Sequence, residues 1–314
     1  MKIFREIKEY EVYTKALGEK PLTAIAIGKF DGIHKGHGKL INTLKEEAER
    51  KGLKTLLFTF DKPFSSYFTG DPAEVLTTNP ERVEALREWG IDYMIEYPLR
   101  KDTVDVSAES FLSDILLGAL NMRLAAAGPD MTFGSGGKGN ISFLRSEAKG
   151  RYEVIEVPKV KYEGITVSSS YVRERLKAGD LETVDSLLGR PYSITGKVTH
   201  GRKLGKKVLD MPTINVFPER DKLMPPFGVY FSRTVVGSEE IDSITNIGVK
   251  PTIKDDAGVN AETYLYGFEE DLYGETVRIE LLHFRRGEKK FDSLEKLKEA
   301  MHTDMMEGKK YFNR

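Results

Sequence analysis

Two histidines three residues apart, His34 and His37, stand in the run TAIAIGKFDGIHKGH from Thr23 to His37. Imidazole N–H groups at that spacing, at the start of a helix, can both touch one anion. Gly28, Gly32 and Gly36 let the main chain approach a phosphate, and Phe30 and Asp31 complete the turn. Nucleotidyl and phosphoryl transfer are catalysed mainly by positioning and by neutralising charge, which suits such a loop. Two plainer readings stand beside it. A His-x-x-His pair is half a zinc site, although zinc takes three or four protein ligands and no cysteine or second histidine cluster is near. A glycine-rich turn with incidental histidines reads the same way.

Further along, Ser168, Ser169 and Arg173 in SSSYVR place hydroxyls and a guanidinium at a helix start, where they could hold outer phosphates or leaving pyrophosphate. An ordinary serine cap with a solvated arginine fits equally. Between these motifs, residues 128–140 (GPDMTFGSGGKGN) are richer in glycine than a connection needs and read as a ligand loop. A third group lies in the last third of the chain: a basic glycine loop, HGRKLG, then Pro212-Thr213-Ile214-Asn215, then Glu262 in AETYLYGF. A kinase acting on an alcohol needs a carboxylate for the proton, oxygen ligands for magnesium and a loop over the phosphates. All three are on offer, although an acid on a strand is often just solvated.

The elements that must hold these residues fall into two textures. Up to residue 188, strand and helix signals alternate. Thr23–Ile27, Thr55–Phe60, Tyr93–Glu96, Arg123–Ala127 and Tyr152–Val157 read as strands. Helices are expected over Lys39–Lys51, from an Asn79 cap with Pro80 in the first turn to a stop at Gly90, from Ser107, and over Ser168–Leu176 and Leu181–Leu188. Residues 61–70 read as irregular and residues 97–105 as a charged connector. That alternation predicts a doubly wound parallel sheet, with ligands outside the carboxyl ends of its strands. From Tyr192 the chain turns to alternating β-branched and aromatic segments cut by Gly, Pro and Asp, which predicts a closed antiparallel barrel. A final helix starts at an Asp292 cap with Glu295 three positions on. The domains are expected at 1–187 and 188–314.

Bulk composition narrows the function classes. A chain of 314 residues suggests two domains, and 39% hydrophobic with 31% charged residues is ordinary for a soluble protein. With 48 basic against 49 acidic residues, nothing global favours nucleic acid. There is no cysteine and no apolar run long enough to span a bilayer, so the expectation is a cytoplasmic protein with no membrane partner.

GKFDGIHKGH is similar to the GxFDGxHxGH signature of the bacterial bifunctional riboflavin kinase/FAD synthetase family, and TVSSSYVRERLKAGD resembles its ISSTxIR segment. THGRKLGKKVLDMPTINV resembles the family's HGxxxG…PTxN run, TNIGVKPTI its NIGxxPT stretch, and AETYLYGFEEDLYGETVRIELLHFRR its E-x-H…DLYG strand pair. FDSLEKLK resembles its closing helix. The resemblance implies a Rossmann-like nucleotidyltransferase domain that joins the AMP of ATP to FMN, then a six-stranded riboflavin kinase barrel. By the same resemblance, His34 and His37 contact the α-phosphate, Ser169 and Arg173 hold outer phosphates, and Gly28, Phe30, Asp31, Gly32, Gly36 and Ser168 line the nucleotide. Asp130, Phe133 and Gly134 lie on the flavin side. Gly201, Lys203 and Gly205 cover the kinase phosphates, Thr213 and Asn215 bind the magnesium of Mg-ATP, and Glu262 is the base. Riboflavin, FMN and ATP are the implied substrates; the oligomeric state is left open.

The pattern departs in places. Phe60-Asp61-Lys62-Pro63-Phe64 lacks the histidine of the family's Phe-Asp-Pro-His-Pro run. Met131 replaces a flavin-side aromatic, and Asp210 stands where glycine is common. Two rival readings follow: a kinase with a weakened adenylyl domain, and a flavin-binding sensor without turnover.

Overall fold

Five residues, Thr23–Ile27 (β2), four of them apolar, form the middle of a parallel sheet because both faces are covered: every one of them is buried. In the computed structural model, which describes residues 1–199, 213–250 and 258–313, the chain divides into two compact units, 1–169 and 170–314. In the first unit, β1 (Lys2–Phe4), β2, β3 (Lys54–Phe60), β4 (Tyr93–Tyr97), β5 (Met122–Ala127) and β6 (Glu153–Glu156) make one sheet in the order β1-β4-β3-β2-β5-β6. All pairings are parallel. The chain steps outward from β2 through β3 to β4, then returns to the other side of β2 with β5. The order therefore reverses between β2 and β5, where a doubly wound sheet opens a crevice at its carboxyl edge. The two segments leaving that edge are the histidine loop after β2 and the glycine-rich segment after β5.

The helices of this unit are α1 (Ile7–Ala16), α2 (Lys35–Lys51), α3 (Phe64–Thr69), α4 (Asn79–Arg87), α5 (Lys101–Val104), α6 (Ala108–Ser110) and α7 (Ile141–Ala148). Two cores flank the sheet, one around Phe58, Phe111 and Met122 and the other around Ile41, Leu44 and Leu57. Several expected boundaries shift. The edge strand β1 and helix α1 were not legible in a charged amino-terminal run. Residues 64–69 are helical rather than irregular, and α5 lies inside the expected connector. The helix expected from Ser107 passes at Phe111 into π geometry, which runs to Ala119. Thr78, not Asn79, caps α4 and forms a capping box with Glu81.

A short hairpin, β7 (Lys161–Tyr162) and β8 (Ile165–Thr166), precedes α8 (Ser169–Lys177) and α9 (Leu181–Leu188). The second unit is a closed barrel of β9 (Tyr192–Thr199), β10 (Thr213–Val216), β11 (Gly228–Val236), β12 (Glu239–Lys250), β13 (Gly258–Leu265) and β14 (Thr276–Gly287), in the order β10-β13-β12-β11-β14-β9. Its pairings are antiparallel, as the sequence predicts. Beside apolar Ile194, Val216 and Ile247, the interior holds a chain of five fully buried hydroxyls. Thr234, Ser243, Ser232, Thr245 and Thr263 are linked in that order by hydrogen bonds of 2.8 to 3.0 Å. Each hydroxyl finds its partner across the ladder, which keeps the burial affordable and pins the strand register. Helix α10 (Leu294–Tyr311) closes the chain, capped by Ser293 rather than Asp292.

Candidate functional site

Helix α2 starts four residues earlier than its apolar periodicity indicates, because His34 is itself the cap. The His34 Nδ1 accepts the His37 N–H at 3.3 Å. An imidazole nitrogen that accepts carries no proton, so in the neutral ring Nε2 bears it, and Nε2–H is a donor. The His37 ring stacks on His34 at 3.8 Å between centroids and 15° between planes. Both imidazoles thus stand at the positive end of a 17-residue helix. A Cβ on Gly36 would lie 3.0 Å from the His34 Nδ1, so a larger residue there presses on the ring.

The loop feeding this cap is strained. Phe30 has φ 48° and Ile33 φ 44°, flanking Gly32 at 82°. A β-branched residue in the left-handed region persists only when its surroundings fix it. Here they do: Phe30 and Ile33 are buried, the Leu76 and Thr77 N–H groups donate to the Asp31 Oδ1 at 2.8 and 3.1 Å, and the Gly32 N–H donates to the Thr77 hydroxyl at 3.0 Å. The Ser169 hydroxyl donates to the Asp31 carbonyl at 2.9 Å, joining the second motif to the first. Gly28, Phe30, Asp31, Gly32, His34, Gly36 and His37 therefore form one loop and cap, braced by residues 76–77 and by Ser169. Ser168 precedes α8, and Arg173 stands four residues after Ser169 on that helix, on the same face and inside the second unit.

Sequence reasoning missed Arg82. Its side chain is buried on α4 and donates to the Phe60 carbonyl, the Asn79 Oδ1 and the Glu96 carboxylate, each at 2.9 Å, and to the Lys29 carbonyl at 3.4 Å. One guanidinium thus ties together the segments leaving β2 and β3 and the end of β4. Burial works against its charge, and the equally buried Glu96 offsets that. An arginine in an amphipathic helix resembles any solvated charge until the strand ends around it are known.

After β5, Phe133 pairs with Gly139 as an isolated bridge, and its ring is buried between Phe111 and Phe143. A Cβ on Gly134, at φ 71°, would meet the Ala108 main chain at 2.7 Å, so that position requires glycine. Asp130 lies exposed and pairs with Lys159 at 3.0 Å. Met131 packs on the core beside this loop.

In the barrel, Asn215 sits directly opposite Glu262 between β10 and β13, and Thr213 opposite Tyr264. The Thr213 hydroxyl donates to the Glu262 Oε1 at 3.0 Å, while the Asn215 Oδ1 accepts from the Asn260 Nδ2 at 3.1 Å. The three residues singled out in the sequence are thus brought to one face. The patch sets two kinds of neutral hard oxygen, a hydroxyl and an amide carbonyl, beside a carboxylate. Gly201, Lys203 and Gly205 lie outside the described residues. Among the described residues no cluster of three or more His, Asp or Glu could hold a metal, and no helix is long and apolar enough to cross a membrane.

Comparison with known proteins matches two stretches of the chain to families. A model of the FAD synthetase family matches residues 18–171, and one of the riboflavin kinase family matches residues 188–312. The chain is 33% identical over 300 residues to the bifunctional riboflavin kinase/FMN adenylyltransferase of Bacillus subtilis, covering 94% of each, and 31% identical to the Escherichia coli K12 protein of that name, covering 92% of each. A solved Streptococcus pneumoniae structure described as a macrolide-efflux protein superimposes with a TM-score of 0.81 over 97% of each chain, at 26% identity. With an FAD synthetase domain followed by a riboflavin kinase domain, and with relatives of this identity along nearly its whole length, the chain belongs to the bifunctional riboflavin kinase/FMN adenylyltransferase family.

Proposed function

We propose that the barrel phosphorylates riboflavin to FMN with ATP, and that the amino-terminal domain transfers the adenylyl group of a second ATP to FMN, giving FAD and pyrophosphate. The observation that carries the reading is the pair of preformed constellations: the His34–His37 cap in one unit and the Thr213–Asn215–Glu262 face in the other. We place the boundary between the modules at 187/188, which the family matches bracket, and the enzyme in the cytoplasm, in keeping with its lack of cysteine.

In the barrel, Glu262 takes the proton of the riboflavin 5′-hydroxyl as its oxygen attacks the γ-phosphorus, and ADP leaves. The Thr213 hydroxyl holds that carboxylate at 3.0 Å and keeps its lone pairs for a cation. Thr213 and Asn215 would hold magnesium: they supply neutral oxygens, and magnesium takes few protein ligands when it arrives with a nucleotide. When bound, it neutralises charge on the transferring phosphoryl group. Gly201, Lys203 and Gly205 are proposed to cover the phosphates.

In the amino-terminal domain, an FMN phosphate oxygen attacks the α-phosphorus and pyrophosphate leaves. The His34 Nε2–H and the His37 imidazole donate to the α-phosphate oxygens, and the amides and dipole of α2 act in the same direction. Asp31 serves by fixing the loop through Leu76 and Thr77, with Gly28, Phe30, Gly32 and Gly36 giving it its shape. Ser168, Ser169 and Arg173 hold the outer phosphates. Asp130 and Gly134 face the flavin, and Phe133 supports their loop from the core.

Crossed variants test the division of labour. Glu262→Gln should lower FMN formation by roughly 10²–10⁴-fold and leave FAD formation from supplied FMN unchanged, the usual scale of a lost general base. His34→Ala should do the reverse. An active Glu262→Gln kinase would remove the base assignment, and a His34→Ala protein with full FAD synthesis would remove the α-phosphate role.

A further inference from the structure

Asn260 stands two residues before Glu262 on β13, is 3% exposed, and donates its Nδ2 to the Oδ1 of Asn215, itself 2% exposed. The other end of the Asn260 amide, Oδ1, is buried with no hydrogen-bond partner among the described residues. A half-satisfied buried amide costs on the order of 1–3 kcal/mol, which an apolar residue of similar size would not. Across the ladder it faces Gly248, where a Cβ would run into the Glu288 carboxylate. The asparagine is thus kept in a tight place at some expense, and its one satisfied group is aimed at Asn215.

We propose that Asn260 is a positioning residue that decides which end of the Asn215 amide is presented to the nucleotide's metal. This rests on the reading of Asn215 as a magnesium ligand. An asparagine amide has two ends of nearly equal shape, its terminal torsion is close to two-fold, and only the oxygen end can ligate a hard cation. The Asn260 N–H can meet only the oxygen end favourably. It binds Oδ1 and fixes the plane of the amide, so that the oxygen end and not the NH2 end is the one held toward the cation. The Thr199 hydroxyl, donating to the Asn215 main-chain carbonyl at 3.2 Å, holds the strand beneath. Such outer partners orient the ligand and sharpen its affinity.

The test is equilibrium Mn2+ binding to the full chain in the presence of ADP, read from the electron paramagnetic resonance of free Mn2+, with no turnover. Asn260→Leu keeps size and removes the donor; Asn260→Met, which adapts to irregular space, repeats the test where the leucine variant does not fold. The expected result is one class of Mn2+ sites weakened about 10–100-fold, the usual scale for loss of an outer partner, with the other class and the melting temperature unmoved or the latter raised. Unchanged affinity in every class overturns the proposal. Asn215→Leu, measured alongside, separates the two failures. If it weakens one class while Asn260→Leu does not, the positioning role alone falls; if neither moves any class, the reading of Asn215 as ligand falls with it.

Discussion

Replacing Arg82 by methionine should destabilise the amino-terminal unit while sparing the barrel. Glu96, 6% exposed, would lose its 2.9 Å partner and keep only Arg5, whose 3.6 Å contact comes from a side chain 81% exposed. A solvent-screened partner of that kind is worth little, whereas stranding one member of a buried pair costs about 3–5 kcal/mol. The Phe60 and Lys29 carbonyls lose a charged donor as well, so the upper half of that range is expected. With a urea slope of about 2 kcal/mol/M, the midpoint should fall by roughly 2 M. The chain's single tryptophan, Trp89, packs over Gly38 in this unit, so its fluorescence reports the transition. Arg82→Lys keeps the charge but not the fork and should lose less. FAD synthesis should fall in Arg82→Met because the segments leaving β2 and β3 lose their common tie, while riboflavin phosphorylation persists. A midpoint within about 0.3 M of the parent would refute the reasoning, since even 1 kcal/mol would move it further at that slope.

Two further outcomes follow from local geometry. Gly36→Ala favours the helix by up to about 1 kcal/mol yet pushes the His34 ring by a few tenths of an ångström, so the protein should melt no lower while its FAD-forming kcat drops several-fold. A normal kcat would show that the ring position is not critical. Burial pushes the Asp185 carboxyl on α9 up to about 7, the hydrogen bond it accepts from the Tyr192 N–H opposes this, and Glu280 adds to it. A carboxyl raised on folding contributes stability that is fully present below its ordinary value of about 4 and is lost as pH rises through about 7. Urea unfolding should therefore show the second unit weakening from about pH 4 to about pH 7 and levelling off above that. Asp185→Asn should flatten that dependence, and an equal slope in the variant would count against it.

The sequence was most informative where local pattern and tertiary role coincide. The apolar run of β2, the glycines after it and the helix beyond are visible at once, because a strand buried on both faces must be apolar throughout and a close turn needs glycine. The barrel strands show in their alternation, since one face of each is packed. What stayed hidden depends on distant partners. Asp31 reads as a ligand-facing acid until residues 45 and 46 positions later are seen to donate to it. The left-handed Phe30 and Ile33 contradict their own preferences and are held by burial and by the bonds that Ser169 and Thr77 make to Asp31 and Gly32 between them. Arg82 and Asn260 carry no local mark, because a buried charge or amide looks in sequence like any polar residue. The caps of α4 and α10 moved by one residue because each start offers two adjacent capping side chains, and only geometry selects between them.

The central claim is that both reactions belong to one chain. It is tested most directly by separating the flavin products after incubating the pure protein with Mg-ATP and riboflavin, beside a parallel incubation with Mg-ATP and FMN. The account predicts FAD in both, with FMN passing through as an intermediate in the first. FMN without FAD in the first and no FAD in the second would contradict it and leave a kinase with a silent amino-terminal domain; neither product in either would leave a flavin-binding protein without turnover.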